Sequence, residues 1–77
     1  MLQVIKRDGE RVDFTLSKIN DAIMKAFTAT EMQYSNDIVD LLSLRVSADF
    51  QDKIKDGAVS VEDIQDSVEK VLGQAGY

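Results

Sequence analysis

One local pattern marks three positions in the chain at which helices are predicted to begin. In each case an apolar residue precedes a Ser or Thr, and a second apolar residue follows five positions after the first. The hydroxyl can accept a hydrogen bond from a free N–H of the first helical turn, and the two apolar residues can pack as a hydrophobic staple. The three instances are Phe14-Thr15 with Ile19, Tyr34-Ser35 with Val39, and Val59-Ser60 with Ile64. We therefore expect three helices, capped by Thr15, Ser35 and Ser60.

Apolar residues recur at helical spacing behind each start, which predicts one buried face per helix. The first face fades near residues 28–30, and Gly57 and Gly73 are placed to terminate the second and third helices. The second face is wider than one neighbour requires, so we expect that helix to pack against two others. The faces consist of Ile19, Ala22, Ile23, Ala26 and Phe27; of Ile38, Leu41, Leu42, Leu44, Val46 and Phe50; and of Val61, Ile64, Val68, Val71 and Leu72.

The N-terminal residues predict a β-hairpin. Residues 2–6 are β-prone, residues 11–14 alternate polar and apolar side chains, and Asp8-Gly9, a dipeptide typical of tight hairpin turns, lies between them. A lone hairpin is barely stable in water, so it must lie against the helices. Residues 58–60 can add a third strand. The expected fold class is α+β: a small helical bundle of three to four helices capped by an N-terminal β-hairpin or short three-stranded sheet. We expect residues 1–77 to form a single domain that is part of a longer chain.

The residue types argue against catalysis. The chain has 77 residues, no Cys and no His, so it lacks a thiol nucleophile, the commonest metal ligands and the commonest general base. A catalytic carboxylate pair would need a concave cleft that so short a chain does not readily build. We expect no catalytic residue and no metal site, and we predict a binding module rather than an enzyme.

The overall charge and hydropathy exclude two classes of partner. The net charge is −5, whereas general nucleic-acid binding needs a basic surface. No apolar run approaches the roughly 18 residues that a membrane span needs. We expect neither a nucleic-acid nor a membrane partner, and we expect a cytoplasmic location.

Cations are concentrated at the N-terminal end. Residues 1–25 carry five Lys and Arg against four Asp and Glu, whereas residues 26–77 carry four against ten. Lys6 and Arg7 precede the hairpin turn, and Lys18 lies in the first turn of the first helix, where free N–H groups also favour anions. These residues are typical of a triphosphate site, and they are equally consistent with ordinary surface cations. The phosphate-binding loop of nucleotide hydrolases is absent, so a bound nucleotide would be an effector that is not hydrolysed.

Several segments together resemble the ATP-cone domain, the regulatory nucleotide-binding domain at the N-terminus of ribonucleotide reductases. The similarity covers nearly the whole chain, and its last residues are most similar to the anaerobic, triphosphate-using reductases. The segments are Val4-Ile-Lys-Arg-Asp-Gly9, Val12-Asp-Phe14, Lys18-Ile19, Ala22-Ile23-x-x-Ala26, Val59-Ser-Val-Glu-Asp-Ile-Gln65, Val68-Glu-x-x-Leu72 and Val71-Leu-Gly-Gln-Ala-Gly-Tyr77.

The resemblance implies a site for ATP or dATP, with Mg²⁺ as an optional companion of the phosphates. Val4 and Lys6 would lie against the nucleotide, and Arg7 would contact phosphate or brace the hairpin. Lys18 would meet the phosphates, and Ile19 would pack on the adenine. In this family ATP permits activity of the parent reductase and dATP stops it, so the implied partners are the nucleotide and the catalytic body or other subunits of the reductase.

Two further segments would complete the implied site. One would line the base and the sugar, and the other, at the start of the last helix, would close the sugar and phosphate side. The first contains Val12, Phe14 and Thr15, and the second contains Ser60, Val61 and Gln65. Some relatives have His where Gln65 stands, and Gln can form hydrogen bonds but carries no charge.

The residues also allow two other interpretations. The broad face of the second helix, together with Met24, Met32 and Phe50, could serve as a protein-contact surface on a module that binds no nucleotide. Alternatively, the chain is a degenerate ATP-cone that keeps the fold without binding.

Overall fold

Three α-helices and a three-stranded sheet make up the computed structural model, which describes residues 2–31 and 33–76. In chain order the elements are β1 (Gln3–Ile5), β2 (Arg11–Asp13), α1 (Leu16–Ala29), α2 (Asn36–Asp49), a 3₁₀ turn (Gln51–Lys53), β3 (Ala58–Ser60) and α3 (Val61–Gln74). The predicted α+β class, the three helices and the third strand are confirmed. Met32, one residue of the alternative contact surface, and Tyr77, the last residue of the resemblance, lie outside the described residues.

The strand β1 lies in the middle of the sheet. It pairs with β2 in antiparallel fashion and with β3 in parallel fashion, so that Val4 lies opposite both Val12 and Val59. The predicted turn joins β1 to β2, and Gly9 supplies the positive φ, at +88°. The Gly9 N–H donates to the Lys6 carbonyl at 2.9 Å. The sheet therefore brings the start of α3 beside the hairpin.

Two of the three predicted caps are confirmed. Ser35 accepts a hydrogen bond from the Ile38 N–H at 3.3 Å, and Ser60 accepts one from the Asp63 N–H at 3.1 Å. The prediction for Thr15 is wrong, because its side chain makes no capping bond and its hydroxyl instead lies 3.2 Å from the hydroxyl of Ser17.

The two predicted glycine stops are wrong. Gly57 ends no helix, since Asp56 and Gly57 have φ of +53° and +74° and form the centre of a tight turn between Lys55 and Ala58. Positive φ at both central residues is the geometry of a type I′ turn, which favours Asp-Gly. Gly73 lies inside α3, and the glycine that follows the helix with positive φ, +88°, is Gly76.

The core lies where the three helices meet the inner face of the sheet. Its largest fully buried side chains include Phe27, Phe50, Ile19 and Ile23. As expected, α2 packs against both α1 and α3. Packing against two helices explains only part of the broad apolar face of α2, however. Leu41 and Leu44 belong to that face, but they are 58% and 60% exposed and take no part in the core.

An ion pair connects α2 to α3. Asp49, at the end of α2, lies 3.0 Å from the Lys70 ammonium. The buried hydroxyl of Ser67 faces the same carboxylate, without reaching good hydrogen-bond geometry with any described residue. The Ser67 hydroxyl, and after it the Lys70 ammonium, favour the ionised carboxylate of Asp49. Together they hold the pKa of this carboxyl below its ordinary value of 3.8.

We predict that Asp49→Asn lowers the melting temperature at neutral pH. A lowered pKa in the folded state gives stability that is fully present above the unfolded pKa, about 4, and is lost as pH falls through the folded value. The difference in melting temperature between wild type and Asp49→Asn should therefore become smaller as the pH falls below about 4. Thermal unfolding between pH 7 and pH 2.5 measures it, with the exposed Asp52→Asn as the control. A difference that is independent of pH would contradict the prediction.

Candidate functional site

A groove of 500 Å³ runs between α1 and α3, next to β1. Its lining is mainly apolar and also includes the charged or polar side chains of Lys18, Lys25, Gln65 and Glu69. Six of the residues proposed from the resemblance line it: Val4, Phe14, Lys18, Ile19, Val61 and Gln65.

A second cavity of 370 Å³ adjoins the groove at the hairpin loop. It is lined by Lys6, Arg7 and Asp8 from the hairpin and by Val61 and Gln65 from α3. Because Val61 and Gln65 also line the groove, the two spaces meet at the start of α3. Lys6 and Lys18 therefore line neighbouring cavities rather than one common cavity.

Local structure explains how these side chains come together. Val4 is the central residue of β1 and is buried, whereas Lys6 follows the last residue of β1, at the start of the hairpin loop, and is exposed. Ser60 ends β3 and caps α3, so the helix begins beside the hairpin. Val61 and Gln65 are four residues apart and share the helix face that borders both cavities.

The first turn of α1 has an unusual charge. A helix N-terminus carries partial positive charge and favours carboxylates. Glu62 and Asp63 occupy the first turn of α3 and Asp37 that of α2, whereas the first turn of α1 contains no acidic residue and carries Lys18. Within the part of the chain that the structure describes, Lys18 forms no ion pair. This end of the groove is therefore suited to an anion.

Arg7 braces the hairpin against α3. Its Nη2 atom donates a hydrogen bond of 2.9 Å to Gln65 Oε1, and its Nε atom lies 3.9 Å from a carboxylate oxygen of Glu62. Lys6 also faces a carboxylate, since its ammonium lies 3.8 Å from Glu10. Of the two roles that the resemblance implies for Arg7, the structure contains the bracing contact.

Three proposed residues line neither cavity. Val12 is half-buried in β2 and pairs with Val4, Thr15 contacts Ser17, and the Ser60 hydroxyl is engaged as the cap of α3.

The groove also contains residues that the sequence analysis assigned to the core or did not assign. They are Ala22 and Ala26, which follow Lys18 at four-residue steps along α1, Ile64 and Val68 on α3, and Lys25 and Glu69. The four-residue spacing of the two alanines could have indicated the groove in the sequence, because small side chains on one helix face leave space beside the neighbouring helix.

Two other kinds of site were sought in residues 2–31 and 33–76. No group of three or more acidic side chains there is placed to hold a metal ion. In the same ranges, no helix has the length and apolar character to cross a membrane.

Comparison with known proteins identifies the family of the chain. The family model of the ATP cone domain matches residues 2–77. The chain is 38% identical to the ribonucleoside-diphosphate reductase subunit alpha of Chlamydia pneumoniae over an alignment of 85 positions, which covers 100% of this chain and 8% of that protein. It is 32% identical to the protein of the same name from Chlamydia muridarum, over 99% of this chain and 8% of the relative. The chain thus spans about 8% of the length of these curated relatives, and it belongs to the ATP-cone family.

Proposed function

We propose that this domain binds ATP and dATP in the groove between α1 and α3 and thereby regulates a ribonucleotide reductase. The observation that carries the proposal is the junction at Val61 and Gln65 between a largely apolar groove and a cavity lined by Lys6 and Arg7. A nucleotide has the same two parts, a flat apolar base and a polyanionic tail. The volume of 500 Å³ also falls within the range of about 300–1,000 Å³ usual for small-molecule sites.

In this proposal the base packs among Val4, Phe14 and Ile19, which are apolar and border the groove. Lys18 and the N-terminal N–H groups of α1 bind the phosphates at the start of that helix. Lys6 and Arg7 extend the same cationic surface into the second cavity. Val12, Thr15 and Ser60 act indirectly, by holding the backbone that frames the base and the sugar.

The bound nucleotide acts as an effector. The chain has no His and no phosphate-binding loop of the hydrolase type, so we propose binding without hydrolysis. Mg²⁺ would arrive with the phosphates, since we propose no carboxylate cage for it. ATP and dATP differ by one ribose hydroxyl, and a coupling of about 1–3 kcal/mol between the nucleotide and the docking of the domain is enough to shift an assembly equilibrium.

The parent protein is proposed to be a cytoplasmic oxidoreductase of deoxyribonucleotide synthesis. The closing segment from Val71 favours the anaerobic, triphosphate-using class, whereas the two curated relatives are named diphosphate reductases. Assaying the full-length protein with CDP and with CTP distinguishes these two classes.

Ligand-dependent stabilisation of the isolated domain tests the proposal. A ligand at 100 times its dissociation constant stabilises by about 2.7 kcal/mol, which corresponds to a rise in melting temperature of about 10–20 °C for a domain of this size. We expect this rise with ATP and with dATP. Inorganic tripolyphosphate, which lacks the base, should give a smaller one. An unchanged melting temperature in millimolar ATP would contradict the proposal.

A second candidate function is a protein-contact module without nucleotide. Leu41 and Leu44 favour it, because both are more than half exposed and lie three residues apart on one face of α2, and contiguous exposed apolar surface marks protein contacts. We regard this surface as the side that docks on the rest of the reductase after nucleotide binding. If ATP gives no stabilisation, the contact module becomes the better interpretation.

A further inference from the structure

Arg7 uses, in its contacts with α3, an edge of its guanidinium that is able to bind a phosphate. The two atoms that contact α3 are Nε, which faces Glu62, and Nη2, which donates to Gln65. These two nitrogens form one edge of the planar fork, and such an edge binds carboxylates and phosphates through two parallel hydrogen bonds. A phosphate that approached this edge would have to replace Glu62 and Gln65.

The two carboxylates that face the cations of the small cavity differ in their position. Glu10 belongs to the hairpin and pairs with Lys6 four residues away, so it moves with its partner. Glu62 belongs to α3, fifty-five positions after Arg7 in the chain. Its contact therefore connects the hairpin loop to the helix through Arg7, which lines the small cavity together with Gln65, whereas Glu62 itself does not line it.

We infer that Glu62 competes with the nucleotide phosphates for Arg7 and thereby sets the affinity of the site. This inference rests on the proposed function. Binding moves Arg7 from Glu62 and Gln65 to the phosphates, and the lost ion pair lowers the net gain. The affinity of the domain for its effector is thus kept low enough for the nucleotide to dissociate when its concentration changes.

The expected effect is moderate because both partners face water. The Arg7 and Glu62 side chains are 69% and 71% exposed, and exposed ion pairs are screened by solvent. Removing the charge of Glu62 should tighten nucleotide binding about two- to fivefold at low salt, with a smaller gain at high salt.

The test is a calorimetric titration of ATP into wild type and Glu62→Gln, a variant that keeps the size of the side chain and removes its charge. Asp66→Asn is the matched control, since Asp66 is an exposed carboxylate one turn further along α3 and forms no ion pair among the described residues. The single variant Arg7→Gln and the double variant Arg7→Gln/Glu62→Gln complete a mutant cycle that isolates the coupling between the two residues.

We expect tighter ATP binding by Glu62→Gln, little change in Asp66→Asn, and no gain from the Glu62 substitution when Arg7 is absent. Equal or weaker binding by Glu62→Gln, with wild type binding ATP normally, would overturn this inference and leave the proposed function intact. The same gain in Asp66→Asn, or a gain that persists without Arg7, would overturn it as well. Binding by neither wild type nor Glu62→Gln would overturn both proposals.

Discussion

Replacing Lys18 with Ala is expected to weaken ATP binding by the domain about 10- to 100-fold. A hydrogen bond to a charged group contributes about 1.5–3 kcal/mol, and Lys18 supplies a cation at the end of the groove where the helix N-terminus also attracts an anion. Titration calorimetry with ATP and dATP measures the change.

The sign of the stability change provides an independent check on Lys18. A lysine in the first turn of a helix opposes the helix dipole, and Lys18 has no ion-pair partner among the described residues. Without nucleotide, Lys18→Ala should therefore melt at the same temperature as wild type or slightly higher. Lys55→Ala removes an equal charge from the turn before β3, and Lys18→Arg retains the charge at the site. The assignment fails if wild type, Lys18→Ala and Lys55→Ala bind ATP equally.

Replacing Phe50 with Ala should destabilise the fold by about 3–5 kcal/mol. Phe50 is 1% exposed and meets the ring of Phe14 edge-on, with centroids 5.9 Å apart. At about 0.05–0.15 kcal/mol per residue, a domain of this length has a total stability of only about 4–12 kcal/mol. The substitution should therefore remove at least about a quarter of that stability, and the loss should extend to the groove because Phe14 lines it.

Leu44→Ala is the matched control for Phe50. It also shortens a large apolar side chain of the α2 region, but Leu44 is 60% exposed, so little buried surface is lost. Chemical unfolding followed by circular dichroism should show a large loss for Phe50→Ala and a small one for Leu44→Ala. Similar losses in the two variants would mean that the core is placed incorrectly.

The fold was largely predictable because its signals are local. The caps at Ser35 and Ser60, the turn at Asp8-Gly9 and the spacing of the apolar residues each depend on a few neighbouring positions. The Thr15 cap was wrong although its pattern is the same, because a hydroxyl can satisfy itself with a neighbour such as Ser17. Gly57 was misassigned for a related reason, since a glycine after a helical segment and a glycine in a type I′ turn have the same need for positive φ.

The candidate site was less predictable because it depends on how distant segments meet. Lys6, Arg7 and Lys18 were proposed as phosphate-binding residues from their residue types and positions in the chain. Lys6 and Lys18 line two adjoining cavities, and Glu62 faces Arg7. Both arrangements follow from the parallel pairing of β1 with β3, which is a tertiary feature. The outward position of Leu41 and Leu44 also depends on packing, since a broad apolar face does not itself show which residues are left exposed.

The most direct test of the nucleotide site is an amide chemical-shift titration of the ¹⁵N-labelled domain with ATP. We expect saturable shifts in β1 and the hairpin loop, in α1 around Lys18 and Ala22, and in α3 from Val61 to Val68. The outer face of α2 at Leu41 and Leu44 should remain unchanged in the isolated domain. Shifts confined to that face, or none at millimolar ATP, would contradict the placement of the nucleotide between α1 and α3.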